Sequence, residues 1–331
     1  MKFEKDIYFQ EKYGALYEKA EKGSSVCWHY TGPEGEIIHN FLLREIPQDI
    51  FTHSVYDLIT PYGYGGPLIT RLSRGYTRHD LVTAFSNAFS QYCKEKRIVC
   101  EFIRFHPIAQ NANDFTSIYH GQVIRNTLGT DLTREDPFAE EFSKGCRKNI
   151  RRAIANGVSW KITFQPDNIK SFQEIYYDTM DRNSASEFYY FDDTYFLQCI
   201  ENFKENLLLV EAIYQEKTIA AGLYFVSDGI IHIHLSGTRS EYLHLSPAYI
   251  LRYAAMQWGL DHGCRLIHHG GGRTNSEEDS LFCFKKQFAQ KTQFPFSVGK
   301  KIWDMTAYQA LCEYMGADMT GEFFPAYRKQ L

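Results

Sequence analysis

Two histidines, His232 and His234, alternate with Ile231, Ile233 and Leu235, so a strand here would turn both imidazoles to one face. Facing a cleft, His234 would be placed to take the proton of an attacking amine. A hydrogen-bonded structural histidine explains the pattern equally well. With His268 the pair makes a candidate zinc set, but the spacing supplies no convincing further ligand and no metal is expected. Lys144, Arg147, Lys148, Arg151 and Arg152 carry five positive charges with no acid between them. A phosphate-binding face is one reading. A helix with Asp136, Glu140 and Glu141 at its start and bases at its end is the other, because the helix dipole favours that order. Arg182 and the pair Tyr189-Tyr190 lie in a polar stretch between helices, where a guanidinium and a phenol hydroxyl could grip phosphate or serve ordinary surface roles. His269-Gly270-Gly271-Gly272 looks like an esterase oxyanion sequence, but the chain lacks the G-x-S-x-G elbow that such chemistry needs, and that reading is set aside.

The whole chain limits what these residues can serve. Its 331 residues, 44% hydrophobic and 23% charged, suit about two globular domains. A net charge of −4 requires any contact with RNA or phosphate to come from a local patch. The 23 Tyr and 25 Phe point to large cores and leave room for an aromatic-lined cleft. No apolar run reaches the length of a membrane span, and MKFEKDIYFQEKYG lacks a signal-peptide core, so a cytoplasmic location is expected. None of the eight cysteines forms a C-x-x-C pair, which leaves reduced, mostly buried thiols as the default.

Elements that would position the candidates can be read in turn. Strands are expected at 37–46 and 55–59, followed by the rigid loop Pro61-Tyr62-Gly63-Tyr64-Gly65-Gly66-Pro67, whose backbone can approach a ligand closely. Thr77 and Asp80 form a capping-box variant before a helix carrying Leu81, Phe85, Phe89 and Tyr92, and a strand at 98–105 ends at His106-Pro107. Asp136 and Pro137 start a helix striped by Phe138, Phe142, Cys146, Ile150 and Ile154. A strand at 159–164, helices near 167–181 and 192–203, and strands at 207–214, 218–226 and 230–236 follow. A helix at 247–262 and a strand at 264–269 close the pattern. Tyr56–Pro107 and Ile230–Gly272 each read as strand, interrupted loop, helix and strand, a weak internal repeat that implies a mixed sheet in each half.

Several short runs carry a resemblance: the loop 61–67; Phe102-Ile103-Arg104-Phe105-His106-Pro107; the basic helix 147–153; Met180-Asp181-Arg182 with Tyr189-Tyr190; Leu235-Ser236-Gly237-Thr238; Gly270-Gly271-Gly272; and Phe284-Lys285-Lys286-Gln287-Phe288. In order and spacing, from about residue 50 to 300, they resemble the Fem family of tRNA-dependent aminoacyltransferases, which build peptidoglycan cross-bridges. The resemblance implies an α/β fold of tandem GNAT-like acyltransferase halves with mixed sheets. It fits the branch without a coiled-coil arm, since no heptad insertion is present. The halves are expected at 1–135 and 136–331, with room for the C-terminal segment to pack back on the first. Two positions depart from the family pattern: His106 stands where an acid often precedes the proline, and His232 and His234 replace an aromatic residue.

What the resemblance implies for chemistry is acyl transfer to an amine by an acyltransferase. Lys285 would stabilise the tetrahedral oxyanion or the donor phosphate, with His234 or the substrate itself as base. Arg147, Lys148, Arg182, Tyr190, Tyr62, Tyr64, His106 and Gly271 would contact substrate. Ordinary GNAT enzymes hold the pyrophosphate of acetyl-CoA on a Q/R-x-x-G-x-G/A turn at a helix start. Residues 240–247, Ser-Glu-Tyr-Leu-His-Leu-Ser-Pro, contain no such turn. The expected donor is therefore aminoacyl-tRNA, with no resident cofactor, and the expected acceptor is a nucleotide- or lipid-linked cell-envelope or polysaccharide precursor. An acyl-CoA-dependent N-acyltransferase acting on a sugar amine, and a binding protein that kept the fold without the chemistry, remain as alternatives.

Overall fold

The computed structural model describes Phe3 and residues 6–330. Helices α1 (Glu11–Ala15) and α2 (Glu18–Glu21) precede strands β1 (Ser24–Gly32) and β2 (Gly35–Glu45). Then come β3 (Tyr56–Ile59), β4 (Leu68–Leu72), α3 (Arg78–Glu95), β5 (Ile98–Arg104), α4 (Thr116–Tyr119) and β6 (Gln122–Asp131). Short α5 (Pro137–Glu140) and α6 (Lys144–Ala155) lead to β7 (Ser159–Phe164), α7 (Lys170–Arg182) and α8 (Asp193–Phe203). A meander of β8 (Leu207–Tyr214), β9 (Lys217–Ser227) and β10 (Ile230–Thr238) follows. The chain finishes with α9 (Pro247–Asp261), β11 (Leu266–Gly270), α10 (Ser280–Lys286), β12 (Thr292–Ile302) and α11 (Met305–Tyr314). Among the described residues no helix is long and apolar enough to cross a membrane.

The chain divides into two compact units, Met1–Ile124 with Pro295–Leu331, and Arg125–Phe294. The cuts fall inside β6 and β12; the sequence expectation was halves at 1–135 and 136–331, with room for the C-terminal segment to pack back on the first. In the first unit the strand order is β1-β2-β3-β5-β12, with β4 on β2. β3 and β5 are parallel, and α3 lies between them in the chain. Thr77 and Asp80 close a full capping box on α3, which buries Leu81, Phe85 and Phe89 against Ile37, Phe41, Leu58 and Ile103. The loop 61–67 is pinned from below. Asn111 Nδ2 donates to the Gly65 and Pro67 carbonyls at 2.8 and 2.9 Å. Gly66 sits at φ +80°, where a Cβ would also meet the Ile103 side chain at 2.8 Å.

The second unit repeats the motif. Its strand order is β6-β11-β10-β9-β8-β7, all antiparallel except for the parallel pair β10 and β11, which α9 connects. A strand–helix–parallel-strand crossover therefore occurs once in each unit, in the two stretches the sequence marks as a repeat. α9 packs on the sheet through Ile250, Leu251, Ala254 and Ala255, which join Leu208, Val210, Ile231 and Ile267 in one core.

One helix differs from its sequence reading. The stripe from Phe138 to Ile154 is broken at residues 141–143, and Ile154 ends exposed. Burial of the Glu141 carboxylate causes the break. It accepts hydrogen bonds from Arg134 Nε at 2.8 Å, from the Lys291 amide at 2.9 Å and from the Thr292 hydroxyl. Ser143 then caps a new helix by accepting from the Cys146 amide at 3.1 Å. Because Glu141 satisfies several donors at once, Glu141→Ala should lower stability by about 1–3 kcal/mol in urea unfolding. A loss below a few tenths would contradict this role.

Candidate functional site

β10 and β11 part company. Their parallel pairing runs from Ile230–Leu266 to His232–His268 and stops, although β10 continues to Thr238 and β11 to Gly270. A β-bulge flanks the split on each side. His234 is the unpaired residue between Ile233 and Leu235 of β10, and His269 is the unpaired residue between His268 and Gly270 of β11. Bulges bend a strand and re-aim its side chains, so this pair opens the sheet at the carboxyl ends of two parallel strands, where α/β sheets commonly bind ligands.

Three cations gather at the β11 side. Gly271 and Gly272 follow β11, and Asp279 caps α10 by accepting from the Phe282 amide at 2.9 Å. The other Asp279 oxygen accepts from the Arg273 and Thr274 amides, both at 3.1 Å. A Cβ at Gly272 would stand 2.6 Å from Asp279 Oδ1, so the tuck requires glycine there. In the last turn of α10, half-buried Lys285 donates from Nζ to the Gly271 carbonyl at 2.6 Å. Arg252 projects from α9, only 5% exposed, and donates from Nη1 to the Tyr224 hydroxyl at 2.5 Å. Its Nε has no hydrogen-bond partner among the described residues, and no described carboxylate forms an ion pair with it. Arg125 Nη1 donates to the Thr274 carbonyl at 3.0 Å, and its Nε lies 3.2 Å from where a Gly271 Cβ would sit.

Burial, and then the Arg252 and Arg125 charges, push the Lys285 ammonium down to about 7; Asp279 opposes them weakly. Arg252 and Lys285, beside one carboxylate largely spent on amides, suit the site to an anion. His269, 1% exposed, borders it: Nε2 lies 2.8 Å from Thr130 Oγ1, which donates to the Phe288 carbonyl at 2.6 Å.

The structure places the sequence candidates in several different settings. Lys285 and Gly271 are joined directly. Arg182, the last residue of α7, donates to the Thr238 carbonyl at 2.6 Å and to Ser240 Oγ at 3.0 Å. Thr238 ends β10, so Arg182 and Lys285 mark the carboxyl ends of the two parting strands. Tyr190 is exposed and donates to Asp181 at 2.9 Å. Arg147 caps carbonyls of Ala139, at 2.7 Å, and Phe142, whereas Lys148 points to solvent. His232 is buried, edge-on to His268 at 5.7 Å. His234 packs near Phe225, with Nε2 2.5 Å from the Tyr195 hydroxyl. Burial and the neighbouring His232 lower its imidazole to about 3, so it stands neutral and weakly basic. In the first unit, Tyr64 and His106 pack around Tyr8 with ring centroids 5.2 and 5.5 Å from it, and the Tyr62 carbonyl accepts from Tyr13 at 2.8 Å.

Sequence reasoning missed Arg252 and Arg125, and set His269 aside with the esterase reading. A lone arginine in the apolar run PAYILRYAAMQWGL was the available signal for the first.

Residues 141–278 match the model of the acetyltransferase (GNAT) domain family. No curated protein matches the sequence. Among solved structures the fold is similar to FemX, at 13% identity and TM-score 0.64, covering 90% of this chain and 92% of that one. It is similar also to the C-terminal domain (DUF2156) of a putative lysylphosphatidylglycerol synthetase from Agrobacterium fabrum, at 13% identity and TM-score 0.58, with 93% of each chain covered. L-PGS from Bacillus licheniformis aligns at 12% identity and TM-score 0.56, over 87% of this chain and 91% of that one. At these identities the likeness is one of fold.

Proposed function

We propose that this chain, an acyltransferase of the GNAT fold, transfers an aminoacyl group from aminoacyl-tRNA to an amine of a nucleotide- or lipid-linked cell-envelope precursor. The observation that carries the reading is the pair Arg252 and Lys285, neither of them in an ion pair with a described carboxylate, beside the split between β10 and β11. It would hold a phosphate near the ester and offer positive charge to the oxyanion of the tetrahedral intermediate. The start of α9 favours tRNA over CoA as donor. Ser246 is left-handed at φ +56° and Pro247 occupies the first turn, which removes one of the free amides a pyrophosphate would use. The neighbours named FemX and lysylphosphatidylglycerol synthetase support an aminoacyl donor and an envelope acceptor by analogy of fold.

The test offers the full chain a pool of radiolabelled aminoacyl-tRNA with a UDP-linked envelope peptide, and acetyl-CoA in parallel. Label moving to the peptide from tRNA alone supports the proposal. Transfer from acetyl-CoA alone would replace the donor, and binding of both partners without turnover would favour a protein that kept only the fold.

The basic helix α6 divides between two roles. Arg147 is committed to carbonyls, so Arg147→Ala should cost about 0.5–1.5 kcal/mol of stability. Lys148→Ala should leave stability unchanged and flatten the salt dependence of tRNA binding by about one unit of slope. An unchanged slope removes Lys148 from the interface.

A further inference from the structure

Thr130 fixes the protonation of its histidine neighbour. A hydroxyl has one hydrogen, and Thr130 gives it to the Phe288 carbonyl, which can only accept. Thr130 must then accept from His269, so Nε2 carries the proton and Nδ1 holds a bare lone pair. That nitrogen is buried and has no hydrogen-bond partner among the described residues. An unmet acceptor in a residue so deeply buried is costly unless something else supplies a donor.

We infer that His269 presents Nδ1 to the substrate amine as its proton acceptor, and that an anion in the neighbouring Arg252–Lys285 site strengthens it as a base. The inference rests on the anion-site reading above. As the amine attacks, the new C–N bond forms and the carbonyl electron pair moves to oxygen. The amine proton passes to Nδ1. Collapse of the intermediate breaks the C–O ester bond, and the departing oxygen takes that proton back, returning His269 to its starting form.

The gate is electrostatic. Burial, then the Arg252 and Lys285 charges, hold His269 well below the ordinary histidine range, so the empty site keeps it neutral and unreactive. Those two are the charged groups acting on it, from α9 and α10; its other contacts, Thr130 of β6 and the Phe288 ring, are uncharged. An anion bound to the cations cancels their field and lifts the part of the depression that they cause, leaving the part set by burial, and linkage requires the converse, that protonated His269 binds the anion more tightly. A donor thus strengthens the base that its own reaction needs.

The test uses full-length protein labelled with ¹⁵N-histidine and ¹⁵N-lysine, inorganic pyrophosphate as probe, and His269→Gln and Lys285→Met to assign the signals. Glutamine keeps a donor for Thr130 while removing the Nδ1 lone pair. Expected are the Nε2–H tautomer at neutral pH and an upward shift of the His269 titration by about one unit or more with pyrophosphate. Lys285→Met should reproduce part of that shift without the anion. His269→Gln should fold normally, bind charged tRNA as tightly, and lose about 10²–10⁴-fold in turnover. An Nδ1–H tautomer, unchanged turnover in the glutamine variant, or a titration unmoved while Lys285 signals respond to pyrophosphate would overturn the inference. Pyrophosphate that perturbs neither residue would instead sink the anion site, and the gate with it.

Discussion

Lys285→Met should reduce turnover by about 10²–10³-fold without reducing stability near neutral pH. The two halves of that expectation have one cause. Lys285 is held at about 7 by burial and by two guanidinium neighbours, so the folded protein strains to keep its charge and uses that charge on the substrate. The sign of the pH effect follows. The unfolded lysine titrates near 10.4, so between about 7 and 10 the unfolded chain binds a proton that the folded chain does not. Wild-type stability therefore rises across that window, and the methionine variant lacks the rise. Anion binding runs the other way. An anion favours the ammonium, so affinity falls as pH climbs through about 7 in the wild type and stays flat in the variant. Urea unfolding and pyrophosphate titration between pH 6 and 10 check both. A variant that turns over normally, or a wild type whose anion affinity ignores pH, would remove Lys285 from the site.

Asp57→Ala should cost about 3–5 kcal/mol, the largest stability effect expected in the first unit. The carboxylate is fully buried. Arg44 Nε donates to one oxygen at 2.8 Å; Arg328 Nε and the Tyr327 hydroxyl donate to the other at 2.6 and 3.0 Å. Arg328 also reaches the Glu45 carbonyl at 2.9 Å, so one side chain of β3 ties β2 to the C-terminal turn Ala326–Gln330. Alanine would remove the acceptor that two guanidinium groups and a phenol share, leaving, among the described residues, Arg44 only Glu21 at 3.5 Å and Arg328 only the Glu45 carbonyl, beside a core that includes Val99, Leu311 and Cys312. Asparagine keeps an acceptor and should lose less. Equal losses in both variants, or a shift of under 1 kcal/mol for alanine, would show that the network contributes little.

How far the sequence reveals this molecule depends on the range of the forces involved. α3 and α9 are legible because their signals are local: a capping box on Thr77, Pro247 at a helix start, and apolar spacing between. β6 and β12 carry no such mark, and long-range pairing makes them strands. The break at Glu141 is equally invisible, because the groups that satisfy its carboxylate include Lys291 and Thr292, about 150 residues away. At the candidate site, Lys285 and Gly271 emerged from a short pattern shared with a family. His234 was singled out by alternation, but a bulge displaces it from the strand ladder and aromatic neighbours surround it. His269 was set aside because the glycines after it suggested another chemistry. Its one-sided hydrogen bonding comes from Thr130, on a strand that no sequence pattern announced.

The salt dependence of aminoacyl-tRNA binding tests the central claim most directly, comparing wild type with the double variant Arg252→Met/Lys285→Met. Each cation that neutralises a phosphate adds close to one unit to the slope of log affinity against log salt. The double variant should bind more weakly and lose between one and two units of slope. Identical slopes and affinities would mean that these cations never meet the donor's phosphates.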